Sequence, residues 1–190
     1  MTQARPTVLL LLLASLAACD SDGVEGKDGV PDSIGPINCA GLTGATATGA
    51  FTCSVGGCTV DFHDAAIDGD LATYATLTML PNTSGSMSLR ATAPDGVSYP
   101  AGTPAAVVFG IERGSGDSLN TVETISTYLD DVLQDTGNVG TNGTISGDRE
   151  AGRSAIVTTK PFDAIEYTYA QGSGTAAVEV RAFEFCTSTN

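Results

Sequence analysis

The chain has 190 residues, with 22 acidic against 8 basic side chains, a net charge of −14, and no tryptophan. Such a balance excludes nucleic acid as a partner, because phosphates demand Lys/Arg neutralisation, and it repels anionic lipid headgroups. The length suffices for one domain with a core of ordinary size.

At the start, Arg5 precedes an apolar run, Val8–Ala14, and the small residues Ala17 and Ala18 lead to Cys19. Positive charge, about ten apolar residues and a small-residue cut site form a secretory signal peptide over residues 1–18, too short to span a bilayer. The Leu16-Ala17-Ala18-Cys19 stretch resembles a bacterial lipobox. That resemblance implies a lipoprotein whose first mature residue is a lipidated Cys19; the alternative is a plain signal followed by an incidental cysteine. Arg5 is the leader's only charge, so its removal leaves seven basic and 22 acidic residues, a net charge of −15. With so acidic a surface, attachment to the membrane falls to the acyl chains.

Residues 19–37 combine Gly, Pro and acids with almost no apolar pattern, which predicts a flexible acidic spacer. Asp20 resembles the inner-membrane retention signal of enteric bacteria. An inner-membrane position therefore stays open beside the outer membrane or cell surface. Residues 38–190 are expected to form the folded domain.

Four further cysteines, Cys39, Cys53, Cys58 and Cys186, read as two disulfides in an exported chain. Of the three connectivities, Cys53–Cys58 around the Gly56-Gly57 turn and Cys39–Cys186 across the domain ends are favoured. A zinc site is disfavoured, since Cys53 and Cys58 are too widely spaced for a knuckle and no second such pair exists.

Beyond Cys39 no helical stretch is expected. Short apolar runs alternate with period two and predict strands over Thr59–His63, Ser86–Ala93, Ala105–Glu112, Glu123–Leu129, Val132–Thr136, Arg153–Thr159, Ala164–Ala170 and Ala176–Phe185. Asp130-Asp131 predicts a tight hairpin turn, since Asp tolerates positive φ. In the last strand Val178, Val180 and Ala182 share one face, whereas Phe183 and Phe185 are expected on the other. That phase change predicts a bulge, or a strand buried on both sides. Eight short strands between Gly/Asp/Asn-rich turns make the fold class all-β, a β-sandwich.

Gly116-Asp117-Ser118-Leu119 spells the signature of a family of serine esterases, but a serine nucleophile needs a general base. The chain has one histidine, His63, and it reads as a strand-end residue. Paired carboxylates for a glycosidase are available among 22 acids, yet no Trp-rich sugar platform accompanies them. No enzyme is expected. Phe162 is assigned to the core, and Arg90, Arg113 and Arg153 to pairing with nearby acids.

The segment Ala66-Ile-Asp68-Gly-Asp70-Leu-Ala-Thr73-Tyr74-Ala-Thr76 resembles the early loop of discoidin-like, galactose-binding-type jelly rolls. Thr127–Gln134 and Thr158–Ile165 are similar to segments of bacterial surface modules sharing that loop; their activity is mostly unassigned. The likeness spans about Cys58 to Phe185 and implies a jelly roll. It also implies a structural calcium held by Asp68, Asp70 through its carbonyl, Thr73 and Glu184 on the last strand, oxygen donors that suit this ion. Read without the resemblance, the same residues form an Asp-capped turn, and that plainer reading is preferred. The chain departs from the sugar-binding relatives in having Tyr74 where Trp is common, and in lacking an evident exposed aromatic-plus-Arg cluster.

The function expected is that of a lipid-anchored, non-catalytic envelope module binding a glycan or a protein partner. The alternatives are a structural or adhesive envelope protein without small-molecule ligand and, behind it, a small hydrolase.

Overall fold

A computed structural model describes residues 40–54, 57–114, 118–119, 121–139, 143–144, 150–172 and 176–187. The predicted lipidation site Cys19, the spacer, Cys39 and the Gly116-Asp117 half of the esterase-like motif lie outside the described residues. The elements are β1 (Thr46–Cys53), β2 (Cys58–Asp61), a 3-10 turn (His63–Ala66), β3 (Ala75–Met79), β4 (Gly85–Thr92), β5 (Pro104–Arg113) and β6 (Ser118–Leu119). They continue with β7 (Thr121–Leu129), β8 (Val132–Asn138), β9 (Gly143–Thr144), β10 (Glu150–Val157), β11 (Ala164–Gln171) and β12 (Val178–Cys186).

Two five-stranded sheets, ordered β1-β4-β11-β7-β8 and β10-β5-β12-β3-β2, stack as a sandwich, and β6 pairs with β9 apart from them. Every pairing within the two large sheets is antiparallel. Leaving out β1, β2, β6 and β9, the eight remaining strands interleave in the order of a jelly roll. In one sheet the first strand of the eight (β3) neighbours the last (β12); in the other the second (β4) neighbours the seventh (β11).

All eight predicted strands are present, with their ends displaced by a few residues. Two edges of that reading need correction. The strand predicted to reach His63 stops at Asp61, because Phe62 adopts a left-handed conformation (φ 56°, ψ 42°) and the chain enters a 3-10 turn. Phe185 does not share a face with Phe183: it rejoins Val180 in the inter-sheet core, while Phe183 packs on the outer face with Val108 and Cys186. Asp130 and Asp131 both take positive φ, 50° and 62°, and Leu129 pairs with Val132, the two-residue hairpin predicted.

The core lies between the sheets and includes Leu77, Met87, Leu89, Ile125, Tyr167 and Phe185. Phe109 of β5 stacks on Tyr167 of β11 at 5.4 Å, a contact between opposite sheets. Phe162 is fully buried, as predicted, and stacks on Tyr99 at 5.2 Å. At the β1–β2 edge the disulfide Cys53–Cys58 joins one sheet to the other, with Cα atoms 6.2 Å apart. A Cβ on Gly49 would meet Val60 Cγ1 and His63 Nε2 at 2.5 Å each, so the close approach of β1 to this edge requires glycine. Cys186 is disulfide-bonded as well. Beside it the chain ends meet, Gly41 bridging Cys186 and Thr187 N–H donating to Ala40 O at 2.9 Å.

Among the described residues an ionic contact crosses the interior. Arg113 of β5 donates to Glu123 of β7 at 3.1 Å, both side chains buried, and the Tyr167 hydroxyl donates to the same carboxylate at 3.2 Å. On the surface Arg90 pairs with Asp131 at 2.8 Å, so Arg90 and Arg113 both have the acid partners expected of them. A buried charge stripped of its partner is costly, whereas an apolar pair of similar volume is not. Arg113→Met should therefore cost about 3–5 kcal/mol in urea unfolding. Arg113→Met with Glu123→Leu should recover most of that loss, leaving about 1–3 kcal/mol for the Tyr167 hydroxyl without its acceptor.

Candidate functional site

The site begins with a register shift in β12. Ala182 pairs with Phe109 of β5, and the next paired residue is Glu184, opposite Val108, so Phe183 is an extra residue. Without the bulge, the alternation that buries Val178, Val180 and Ala182 would turn Glu184 into the apolar core. With it, Glu184 stands on the outer face of its sheet beneath the loop after the 3-10 turn.

There its side chain is enclosed; the residue is 2% exposed. Gly69 N–H donates to Glu184 Oε2 at 2.9 Å, while Oε1 is buried with no hydrogen-bond partner. A Cβ on Gly41 would lie 2.7 Å from Oε1, so the backbone of the first described segment closes this side only because residue 41 is glycine. A hollow of about 270 Å³ results, lined among others by Gly41, Leu42, Ile67, Asp68, Gly69 and Glu184. Burial pushes the Glu184 carboxyl up to about 7; the Asp68 charge adds to the rise and the Gly69 N–H opposes it.

The loop over this hollow is held by its own acids. Asp68 Oδ1 accepts from Asp70 N–H at 2.8 Å, and Asp68 Oδ2 accepts from the Thr73 hydroxyl at 2.7 Å. Asp70 Oδ1 accepts from Ala72 N–H at 2.9 Å, and the Asp70 carbonyl accepts from Thr73 N–H at 3.1 Å. The Asp-capped turn expected from the residues alone is thus present. Of the four residues proposed as calcium ligands, Asp68 and Glu184 line one hollow. Thr73 reaches it only through Asp68, and the Asp70 carbonyl, the oxygen proposed as a ligand, accepts from the Thr73 N–H and hydroxyl instead. Among the described residues no three His, Cys, Asp or Glu side chains converge at metal distance. A cation here would need main-chain oxygens beside two carboxylates, and the unpartnered Oε1 is an observation that fits one.

Asp68 is also a wall of a second, more open hollow of about 480 Å³, whose other lining residues are Phe62, His63, Asp64, Ala65 and Thr73. Phe62 is 75% exposed. His63 Nε2 lies 2.8 Å from Val60 O; a carbonyl only accepts, so the ring donates and its proton sits on Nε2. This histidine is a structural clasp on β2. Among the described residues no serine lines its hollow, and the backbone of Ser118 belongs to β6, paired with Thr144. Tyr74 is occupied elsewhere, edge-on to Phe183 at 5.4 Å and beneath Arg181 at 5.1 Å.

Phe62 is the residue that sequence reasoning missed. Alternation from Cys58 and Val60, both buried, would place it in the core; the left-handed backbone turns it outward instead. Nothing in the local sequence marks a phenylalanine for that conformation.

No protein-family model matches the chain, and no curated protein matches it in sequence. Among solved structures it is similar to a mutant of a family 29 carbohydrate-binding module (TM-score 0.38, 17% identity, 78% of this chain and 84% of that chain covered). It is also similar to the family 32 module from C. perfringens NanJ in complex with galactose (TM-score 0.36, 20% identity, 72% and 92% covered). A third likeness is to the infectious bursal disease virus Gt strain structure (TM-score 0.36, 15% identity, 75% and 30% covered). Likenesses of this size assign the chain neither a ligand nor an activity.

The Glu184 carboxyl sets a pH dependence. Folded, it keeps its proton up to about 7; unfolded, it releases it near 4.5. Between those values the folded state binds more protons, so stability is greatest below the lower value and falls as pH rises through the upper one. In chelator-containing buffer, thermal unfolding should show this decline, and Glu184→Gln should flatten it.

Proposed function

We propose that this chain is an exported, lipid-anchored, non-catalytic module that binds a glycan at the loop surface formed by Phe62–Asp64 and the Ile67–Tyr74 segment. The observation that carries the reading is the open hollow in which an exposed phenyl ring stands beside carboxylate and hydroxyl oxygens. Sugar rings have an apolar face and a polar rim, and this pairing of surfaces meets both. The walls are rigid: the Asp68–Thr73 hydrogen bonds, the His63–Val60 contact and the Cys53–Cys58 disulfide leave little to be ordered on binding.

Export is supported by the signal sequence and by that disulfide, which persists in an oxidising compartment. Lipid on Cys19 follows from the lipobox resemblance, and an outer-membrane or surface position is the reading adopted. Intact-mass measurement of the membrane-extracted protein should find Cys19 acylated; an unmodified residue there would remove the anchor.

Calcium belongs to the proposal as a structural ion. Asp68 and Glu184 would hold it together with main-chain carbonyls of the segments around Gly41 and Ile67. Its charge would offset the burial of two neighbouring carboxylates. Because an ion bound only by the folded state stabilises by mass action, a hundredfold excess over Kd should add about 2.7 kcal/mol. The melting temperature should rise in millimolar calcium, and Glu184→Gln should abolish the rise. Glycan binding is tested directly with the full-length chain in detergent on a glycan array and in polysaccharide pull-down, and blank results in both would end that reading.

A further inference from the structure

We infer that the hollow bounded by Phe62, His63, Asp64, Asp68 and Thr73 is a sugar subsite, with the Phe62 ring as its stacking platform. Its ligand class is pyranosides that are neutral or carry an amine, to the exclusion of acidic sugars. This rests on the glycan-binding reading and gives it residues and a ligand class.

Phe62 is disfavoured at its position twice over. Its backbone (φ 56°, ψ 42°) lies in the left-handed region, where a bulky side chain is strained and Gly or Asn is at home. The residue is 75% exposed, so its ring gains little from the core in return. The local structure does not need a phenyl group. The turn is closed by Ala65 N–H donating to the Phe62 carbonyl at 3.0 Å, a bond any residue would supply, and no side-chain hydrogen bond caps it. Strain held at an exposed aromatic points to a role for the ring itself.

What surrounds the ring defines the ligand. The hollow, about 480 Å³, is of the size that small ligands occupy. Among the described residues its lining holds two carboxylates, Asp64 and Asp68, and no Lys or Arg. Asp68 is engaged by Asp70 N–H and the Thr73 hydroxyl. The exposed Asp64 carboxylate has no hydrogen bond or ion pair among the described residues, so it remains an acceptor for a sugar hydroxyl or ammonium. A uronic or sialic acid would meet the like charge of Asp64, with no Lys or Arg among the described lining residues to neutralise it, inside a chain already at −14. His63, held to Val60, positions the turn that presents the ring.

Phe62→Asn separates the roles, because Asn suits the left-handed backbone and removes only the platform. Titrations of the full-length chain in detergent would use glucosamine oligomers, N-acetylglucosamine oligomers and oligogalacturonate. The wild type should bind the first two and not the third. Phe62→Asn should melt at the same or a higher temperature yet bind at least about tenfold more weakly. Asp64→Asn should weaken the amine-bearing oligomer more than the acetylated one. Wild-type binding that Phe62→Asn leaves intact would overturn the subsite while the glycan reading stands, and would mark glucosamine binding as charge attraction to the surface at large. Binding of oligogalacturonate, or of neither other probe, would overturn the ligand class. Silence on the glycan array too would take down the reading beneath it.

Discussion

One extra residue in β12 governs where the chemistry of this protein sits. The strand is central to its sheet, paired with β3 on one side and β5 on the other, and from Ala182 onward both its faces are covered. On a strand of strict alternation the sequence Ala182-Phe-Glu-Phe185 would force a carboxylate into the core and Phe185 out of it. Both errors are costly, the burial of an unpaired charge most of all. The bulge at Phe183 resolves them in a single step: Phe185 enters the core and Glu184 comes out under the Asp68–Gly69 turn. The loop that roofs the site is then held from below by Glu184, through Gly69.

The sandwich around that strand is closed so that loops have a fixed base. Cys53–Cys58 ties β1 to β2 across the two sheets, and His63, in the turn that follows β2, lies over Gly49 of β1. Deeper in, Arg113, Glu123 and Tyr167 connect β5 to β7 and β11. A buried ion pair adds little net stability over an apolar pair, but its directional bonds penalise any sliding of one sheet over the other. Rigidity of this kind is what allows a loop at the margin to keep a strained residue such as Phe62.

How much of this the sequence disclosed follows from which signals are local. The eight strands predicted have apolar alternation or Gly/Asp punctuation, and the Asp130-Asp131 hairpin rests on two residues that tolerate positive φ. The two longer strands that escaped notice fail for separate reasons. β1, TATGAFTC, is a mostly exposed edge strand with hardly any apolar period, and its pairing with β4 is a tertiary fact. β3, ATLTM, does alternate, with Ala75, Leu77 and Met79 buried, but it directly follows a loop whose Asp-Gly-Asp pattern dominates the reading. The phase break in β12 was legible as a bulge; the face taken by Phe185 was not, because composition does not say which residue is the extra one. In the site, Asp68 and Glu184 were readable only through a resemblance, since they are far apart in the chain and meet through sheet order. Phe62 was not readable at all: its conformation is imposed where β2 ends and the 3-10 turn begins.

The two hollows share Asp68, and that makes them interdependent in energy. Its carboxylate fixes the turn through Asp70 and Thr73, raises the proton affinity of Glu184, and walls the hollow that holds Phe62. Any change in charge under the loop, whether a proton on Glu184 or a cation beside it, alters the balance of forces on Asp68. A ligand that engages the outer hollow acts on the same side chain from the other face. Coupling between the two requires only that the loop be better held in one state than in the other, and linkage makes it reciprocal. A wall held by hydrogen bonds at 2.7 and 2.8 Å is a short path for that coupling, with no rearrangement of the sandwich needed. The residue that the β12 bulge turned outward therefore bears on the wall of the outer hollow, through Gly69 and Asp68.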